Sequence, residues 1–252
     1  MTDQIEQAAD LIKGSEKIVV FTGAGVSTES GIPDFRSPGG LWSKYDPEDF
    51  TFQRFVSNEK ARHKYWQMST EFFHSLQSVK PNAAHIAIAK LEAIGKLDCL
   101  ITQNIDGLHQ IAGVSSERVI ELHGTARAVS CLSCKKRYDR DGVQERITNG
   151  DKDPRCDDCN GLLKPATISF GQAMPEQETA EALKRSGGCD LFIVIGSSLV
   201  VQPAASMPVV AKERGARLVI INREATPHDH MADLVIQGSA GSVLPDMLAQ
   251  VK

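Results

Sequence analysis

The sequence predicts an α/β fold, a mostly parallel sheet with helices on both faces, interrupted by a small inserted lobe. Short apolar runs alternate with helix-like stretches along most of the 252 residues. Four of the six cysteines fall as two Cys-x-x-Cys pairs in one charged, turn-rich segment. Hydrophobic residues make up 41% of the chain, enough to give one large domain, or a domain plus a small lobe, a substantial core.

The elements follow in order. Ile5, Ala8, Ala9 and Ile12 form a helical stripe ended by Gly14, and Ile18-Val19-Val20-Phe21 is a buried strand running into Thr22-Gly23-Ala24-Gly25. Residues 33–47, with Pro38-Gly39-Gly40, form an irregular loop beside that strand end. Further strands are expected over 97–101, 119–122, 191–195 and 218–221, with helices over 83–94, 175–184 and 204–214. This alternation is Rossmann-like. Residues 127–165 break it with the paired cysteines, many charges and few apolar residues, and are expected to be an inserted module.

Composition excludes several function classes. Lys and Arg total 28 against 32 Asp and Glu, a net charge of −4 with no long run of one sign, so no footprint for nucleic acid is visible. The first residues lack a basic and apolar leader, and nowhere do eighteen apolar residues run together, so a soluble cytoplasmic protein without membrane contact is expected. Cys99 and Cys189 lie in or beside strand-like runs and are expected to be core residues without a chemical role.

Cys131, Cys134, Cys156 and Cys159 carry the first chemical signal. The pairs are 21 residues apart, near zinc-ribbon spacing, and two such turns complete a tetrahedral sulfur shell suited to Zn²⁺. A redox-active dithiol is the alternative. Four protein ligands leave no open position, so the expected zinc is structural and the chemistry lies elsewhere.

In open parallel sheets the ligand crevice lies beyond the carboxyl ends of the strands. That rule selects residues 23–25, 103–106, His123, 196–198 and Asn222 before any motif is considered. Gly23-Ala24-Gly25 is half of a dinucleotide fingerprint, because Thr28 stands where a third glycine belongs. Small residues there let amides approach a phosphate, and residues 26–30 can begin a helix whose positive end faces it. A tight turn with no ligand is the alternative.

The wider context decides. Gly23-Ala24-Gly25-Val26-Ser27-Thr28-Glu29-Ser30-Gly31-Ile32-Pro33-Asp34-Phe35-Arg36 closely resembles the signature of the sirtuins, NAD-dependent protein deacylases. Thr102-Gln103-Asn104-Ile105-Asp106-Gly107-Leu108-His109, Leu122-His123-Gly124, Phe170-Gly171, the run from Gly196-Ser197-Ser198 to Pro203-Ala204, and Ile221-Asn222 match that family in order and approximate spacing. The resemblance covers essentially the whole chain as one catalytic domain, cysteine pairs included.

The resemblance implies cleavage of the bond to nicotinamide and transfer of an acyl group, acetyl above all, from lysine to the ribose, releasing O-acyl-ADP-ribose. His123 matches the general base, with Asn104 and Asp106 as the other catalytic positions. Gly23, Ala24, Gly25, Thr28, Asp34, Phe35, Arg36, Gln103 and Ile105 are implied NAD contacts. So are Gly196, Ser197, Ser198, Asn222 and Arg223, with Ala240 closing over adenine. Phe35 is implied to shield the reacting ribose and Asp106 to bind the nicotinamide carboxamide. Acyl-lysine peptides are the implied partners, lying extended between the strand-like residues 167–170 and Val200-Val201 and touching Ile168, Ser169, Phe170, Gly171 and Val200.

Bland readings accompany these. Asn104 and Asp106 are also suited to capping a helix near Gly107, and the histidines other than His123 are expected to be structural or exposed. Many sirtuins carry Glu where this chain has Gln172. Those favouring succinyl or malonyl groups carry Tyr-x-x-Arg where Ser69 and Phe72 stand, with Tyr65 one turn away, so a neutral acyl group is expected. A mono-ADP-ribosyltransferase using the same NAD site is the main alternative, ahead of a dehydrogenase and of a non-catalytic NAD sensor or zinc adaptor.

Overall fold

The computed structural model describes residues 2–34 and 40–251. Nine strands are described: β1 (Ile18–Thr22), β2 (Leu97–Thr102), β3 (Val119–Glu121), β4 (Gly124–Cys131), β5 (Arg137–Asp139), β6 (Leu163–Thr167), β7 (Leu191–Ile195), β8 (Arg217–Asn222) and β9 (Leu234–Gln237). Six build one sheet in the order β3-β2-β1-β7-β8-β9, with every pairing parallel. The chain steps outward from β1 to β3, then returns to place β7 on the other side of β1. The order of strands therefore reverses between β1 and β7, where Rossmann-like sheets open a crevice.

The continuous apolar runs are explained by burial on both faces. Ile18 and Val20 of β1 pack into one core with Leu100, Ile193 and Val219, while Val19 and Phe21 enter a second core with Ile101, Val194 and Ile220. Helices Thr2–Lys13, Ala83–Ala93 and Ala240–Ala249 cover the first face; Glu176–Ser186 and Met207–Glu213 cover the second.

The second sheet is antiparallel, in the order β5-β4-β6. Its core joins Val129, Cys131, Val143, Cys156 and Leu163 to Trp66, which sits on the 20-residue helix Glu59–Ser78. That helix is absent from the sequence reading, as is β9. The lobe is tied to it by Arg62, whose Nε and Nη2 donate to the two carboxylate oxygens of Asp153 at 2.8 and 2.9 Å. Both side chains are largely buried, so the pair is shielded from solvent screening.

Two local expectations change. Residues 26–30 do not begin an α-helix; Ala24–Val26 and Thr28–Ser30 are single 3₁₀ turns, and a helix macrodipole does not develop over one turn. The strand-like stretch 167–170 ends as a strand at Thr167, although the Ile168 amide still donates to the His123 carbonyl at 2.8 Å.

Candidate active site

A cavity of about 780 Å³ opens at the carboxyl ends of the parallel strands. Gly23, Ala24 and Gly25 after β1 line it, with Gln103, Asn104 and Ile105 after β2 and His123 after β3. Gly196, Ser197 and Ser198 follow β7; Asn222, Arg223 and Glu224 close or follow β8; Gly238 and Ala240 follow β9. The opposite wall comes from Tyr65, Met68, Ser69 and Phe72 of the long helix and from residues 167–172 after β6. Thr28 and Asp34 complete the lining after the first turn.

The glycines of the first turn serve packing as well as access. Gly25 N donates to Gly196 O at 2.8 Å and Gly23 N to Ile195 O at 3.1 Å, so both amides are engaged by the end of β7 and the residue that follows it. Gly196 has φ +60°, and a Cβ there would lie 2.4 Å from Val26 N. The two loops meet backbone to backbone, which no larger residue permits. Gln103 Nε2 reaches across the same seam to Ser197 Oγ at 2.8 Å.

His123 has one fixed nitrogen. Its Nδ1 lies 3.0 Å from the Gln103 carbonyl oxygen, which can only accept, so the neutral ring carries its proton on Nδ1. Nε2 is left as the basic nitrogen of a residue that lines the cavity. Burial lowers the ring's pKa below the ordinary 6.5, with the Gln103 contact opposing in part, so the imidazole is neutral at pH 7.

Behind the cavity wall lies a buried polar network centred on Ser27, a residue to which the sequence reading gave no role of its own. Ser27 Oγ donates to Asp106 Oδ2 at 2.8 Å and accepts from Asn104 Nδ2 at 3.1 Å. His85 Nε2 stands 3.4 Å away, while His85 Nδ1 accepts from Asn82 N. Asp106 Oδ1 also accepts from Leu108 N at 2.9 Å, an Asx turn into the short helix Leu108–Ile111, whose N-cap position is Gly107. Asn104 makes no such cap; its own amide donates to Thr102 Oγ1. His85 and His109 are both buried, with ring centres 4.8 Å apart. The expectation of a structural role holds for this pair, and that of exposure does not. Burial brings the His85 pKa down to about 4, with the Asp106 carboxylate opposing, and places that of His109 well below the ordinary value.

Most expected site residues thus gather around one cavity, with three kinds of exception. Asp106 is 3% exposed and stands behind the lining, and Val200 is exposed outside it while Val201 lines it. Phe35 and Arg36 lie outside the described residues. Ile168, Ser169, Phe170 and Gly171 all line the cavity. Gln172 lines it too, and its Oε1 accepts from Ser169 N at 3.2 Å, which turns the segment back on itself. Tyr65, assigned no contact from sequence, holds the same segment through Thr167 Oγ1 and Ser169 Oγ, each at 3.1 Å.

The cysteine sulfurs converge away from this cavity. All four lie within 4.8 Å of one another, with Cys131 and Cys159 at 3.5 Å and Cys134 and Cys156 at 3.6 Å. A tetrahedral ion with bonds of about 2.3 Å sets its ligands about 3.8 Å apart, so the four thiols fit Zn²⁺. Tyr138 OH donates to Cys156 Sγ at 3.1 Å and supports a thiolate there. None of the four lines the large cavity, which agrees with a structural ion.

A switch-point crevice lined by glycines, hydroxyls, amides and one neutral imidazole, faced by a four-cysteine lobe, defines a nucleotide-using enzyme of the α/β class. The Sir2 family model matches residues 23–203, and the chain belongs to that family. It is 46% identical over 250 residues to the NAD-dependent protein deacetylase of Thermodesulfovibrio yellowstonii, covering 99% of this chain and 96% of that one. It is 45% identical over 254 residues to NAD-dependent protein deacylase 2 of Archaeoglobus fulgidus, covering 100% and 98%. A solved Sir2 structure described as holding a p53 peptide and NAD⁺ superposes with a TM-score of 0.89 at 37% identity, covering 98% of each chain.

Proposed function

We infer that the chain is an NAD-dependent protein-lysine deacylase whose preferred acyl group is acetyl, with one structural zinc. Residues 127–165 are read as a module inserted in a single catalytic domain. The observation that carries the reading is His123, a ring with its proton fixed on Nδ1 and its basic Nε2 at the cavity where the strand ends meet. NAD, when bound, supplies a ribose carbon from which nicotinamide departs and to which the acyl oxygen is joined.

The chain's own residues then have distinct tasks. His123 Nε2 takes a proton from a ribose hydroxyl, and the Gln103 carbonyl steadies the imidazolium through Nδ1. Asn104 is held by Ser27 and orients the ribose, with Gln103 beside it. Ile105 and Asp106 bound the nicotinamide end, and Phe35 and Arg36 are assigned to the loop that shields it. Gly23, Ala24, Gly25, Thr28, Asp34, Gly196, Ser197 and Ser198 hold the phosphates and nearby ribose; Asn222, Arg223 and Ala240 hold the adenosine. The acyl-lysine peptide runs along Ile168, Ser169, Phe170 and Gly171, with Val200 opposite.

Support for a neutral acyl group comes from the helix wall. Met68, Ser69 and Phe72 line the cavity, and Arg223, on the β8 side, is the one arginine lining it among the described residues. An acidic acyl group placed against that wall would lose its hydration without gaining a cation.

The reading is tested by incubating the protein with NAD and a panel of acylated peptides and weighing the products. Acetyl peptide should yield free lysine, nicotinamide and O-acetyl-ADP-ribose, faster than succinyl peptide yields its counterpart. ADP-ribose joined stably to protein without deacylation would instead establish the ADP-ribosyltransferase.

A further inference from the structure

A second cavity, of about 310 Å³, lies between the long helix and the cysteine lobe and shares no lining residue with the first. Phe73, Leu76 and Gln77 line it from the helix; Arg127, Asp139, Arg140 and Asp141 line it from the lobe. Arg140 is 1% exposed. Its guanidinium carbon sits 5.2 Å from the Trp66 ring centre and 4.8 Å from that of Phe73.

The surroundings of Arg140 leave its N–H groups short of acceptors, although Asp139 and Asp141 line the same cavity. Its Nη2 makes long contacts to Ser69 O and Oγ, at 3.3 and 3.4 Å, and among the described residues Nε and Nη1 have no hydrogen-bond partner. The neighbouring Trp66 Nε1 and Gln144 Nε2 are buried and likewise without a partner among the described residues. All four are N–H donors, and the two of Arg140 belong to a side chain that lines the cavity. Leaving buried donors unpaired costs about 1–3 kcal/mol each, and more for a charged group, so the arrangement calls for an acceptor with negative charge. Burial pushes the Arg140 guanidinium down to about 10, with the Asp141 carboxylate acting the other way.

We propose that this cavity is a ligand site for a small amphipathic monocarboxylate, whose carboxylate pairs with Arg140 while its apolar body lies against Phe73 and Leu76. Two features select that class over phosphate. The walls include an aromatic ring and a leucine, which a polyanion does not use. Asp139 and Asp141 also line the cavity and penalise each added negative charge, and Asp139 is already committed to Asp141 N and Gly142 N at the start of helix Arg140–Thr148.

The test uses full-length protein labelled with ¹⁵N-tryptophan, without NAD or peptide, so its outcome is separate from the deacylase reading. Benzoate is titrated at constant ionic strength, with inorganic phosphate in parallel, and the Trp66 indole resonance is followed. Wild type should show a saturable shift with benzoate and a weaker response to phosphate. Arg140→Met should weaken benzoate by about tenfold or more. Asp141→Asn, which keeps the fold's arginines intact, should tighten it by about threefold by removing a like charge. No saturable shift in wild type, equal affinity in Arg140→Met, phosphate binding as tight as benzoate, or unchanged or weaker binding in Asp141→Asn would overturn the site.

Discussion

His123 accepts a proton only while its ring is neutral, and burial keeps it neutral below the ordinary value of 6.5. The acid limb of kcat/KM for acetyl peptide is therefore expected below pH 6.5, with activity falling as pH drops through the site's own value; a pH series of initial rates measures it. His123→Ala should lower turnover by at least about a hundredfold, the scale of a lost general base, with NAD affinity largely kept. His85 acts on stability instead. Its unfolded ring takes up a proton near 6.5, whereas the folded ring resists until about 4, so the contribution is full above 6.5 and is lost as pH falls between these values. Urea unfolding across that window should show the decline, with a shallower slope in His85→Asn. His123 was legible because a strand end and a motif coincide there. Ser27 was not, because a serine among small residues carries no local mark of the carboxylate 79 positions away that it holds.

Gly124 joins the strand end that carries His123 to the second sheet. Its φ is +71°, and a Cβ there would lie 1.9 Å from Ala166 O, so β4 and β6 pair at this point only with glycine. Gly124→Ala is expected to cost about 2 kcal/mol or more and to impair peptide turnover, since the 166–169 segment must move. Denaturant midpoints and peptide KM would report the two effects. Arg62→Ala should cost about 1–3 kcal/mol, because Asp153 loses its two buried charge-assisted hydrogen bonds but keeps Arg155 at 2.7 Å. The elements legible in the sequence were those with unbroken apolar runs, β1 and β7 above all. β9 has only four residues, with Val235 half-buried and Gln237 exposed, which is too little to stand out. Helix Glu59–Ser78 escaped because Arg62 occupies a buried position alongside Tyr65 and Trp66, blurring the period that marks an amphipathic helix.

The whole molecule is two bodies of structure meeting across one cavity, with the parallel sheet on one side and the long helix with β6 on the other. Among the described residues no helix is long and apolar enough to cross a membrane. That the strands are parallel was implied by the strand-helix alternation, but their spatial order was not, and which strand ends meet depends on the reversal between β1 and β7, set by tertiary packing. The lobe's own core is small, so the ion carries much of its stability. Chelating zinc is expected to lower deacylation and to release hydrogen-exchange protection in residues 124–167 and along Glu59–Ser78, while β1, β2, β7 and β8 stay protected.

The central claim is that the imidazole at the cavity holds its proton on the nitrogen facing Gln103 and offers the other as base. Long-range ¹H–¹⁵N correlation spectra of the His123 ring across a pH titration address it directly. The expected spectrum is a neutral Nδ1–H tautomer at pH 7, with Nε2 taking up a proton only below pH 6.5. A neutral Nε2–H tautomer, or a ring already charged at pH 7, would contradict the account.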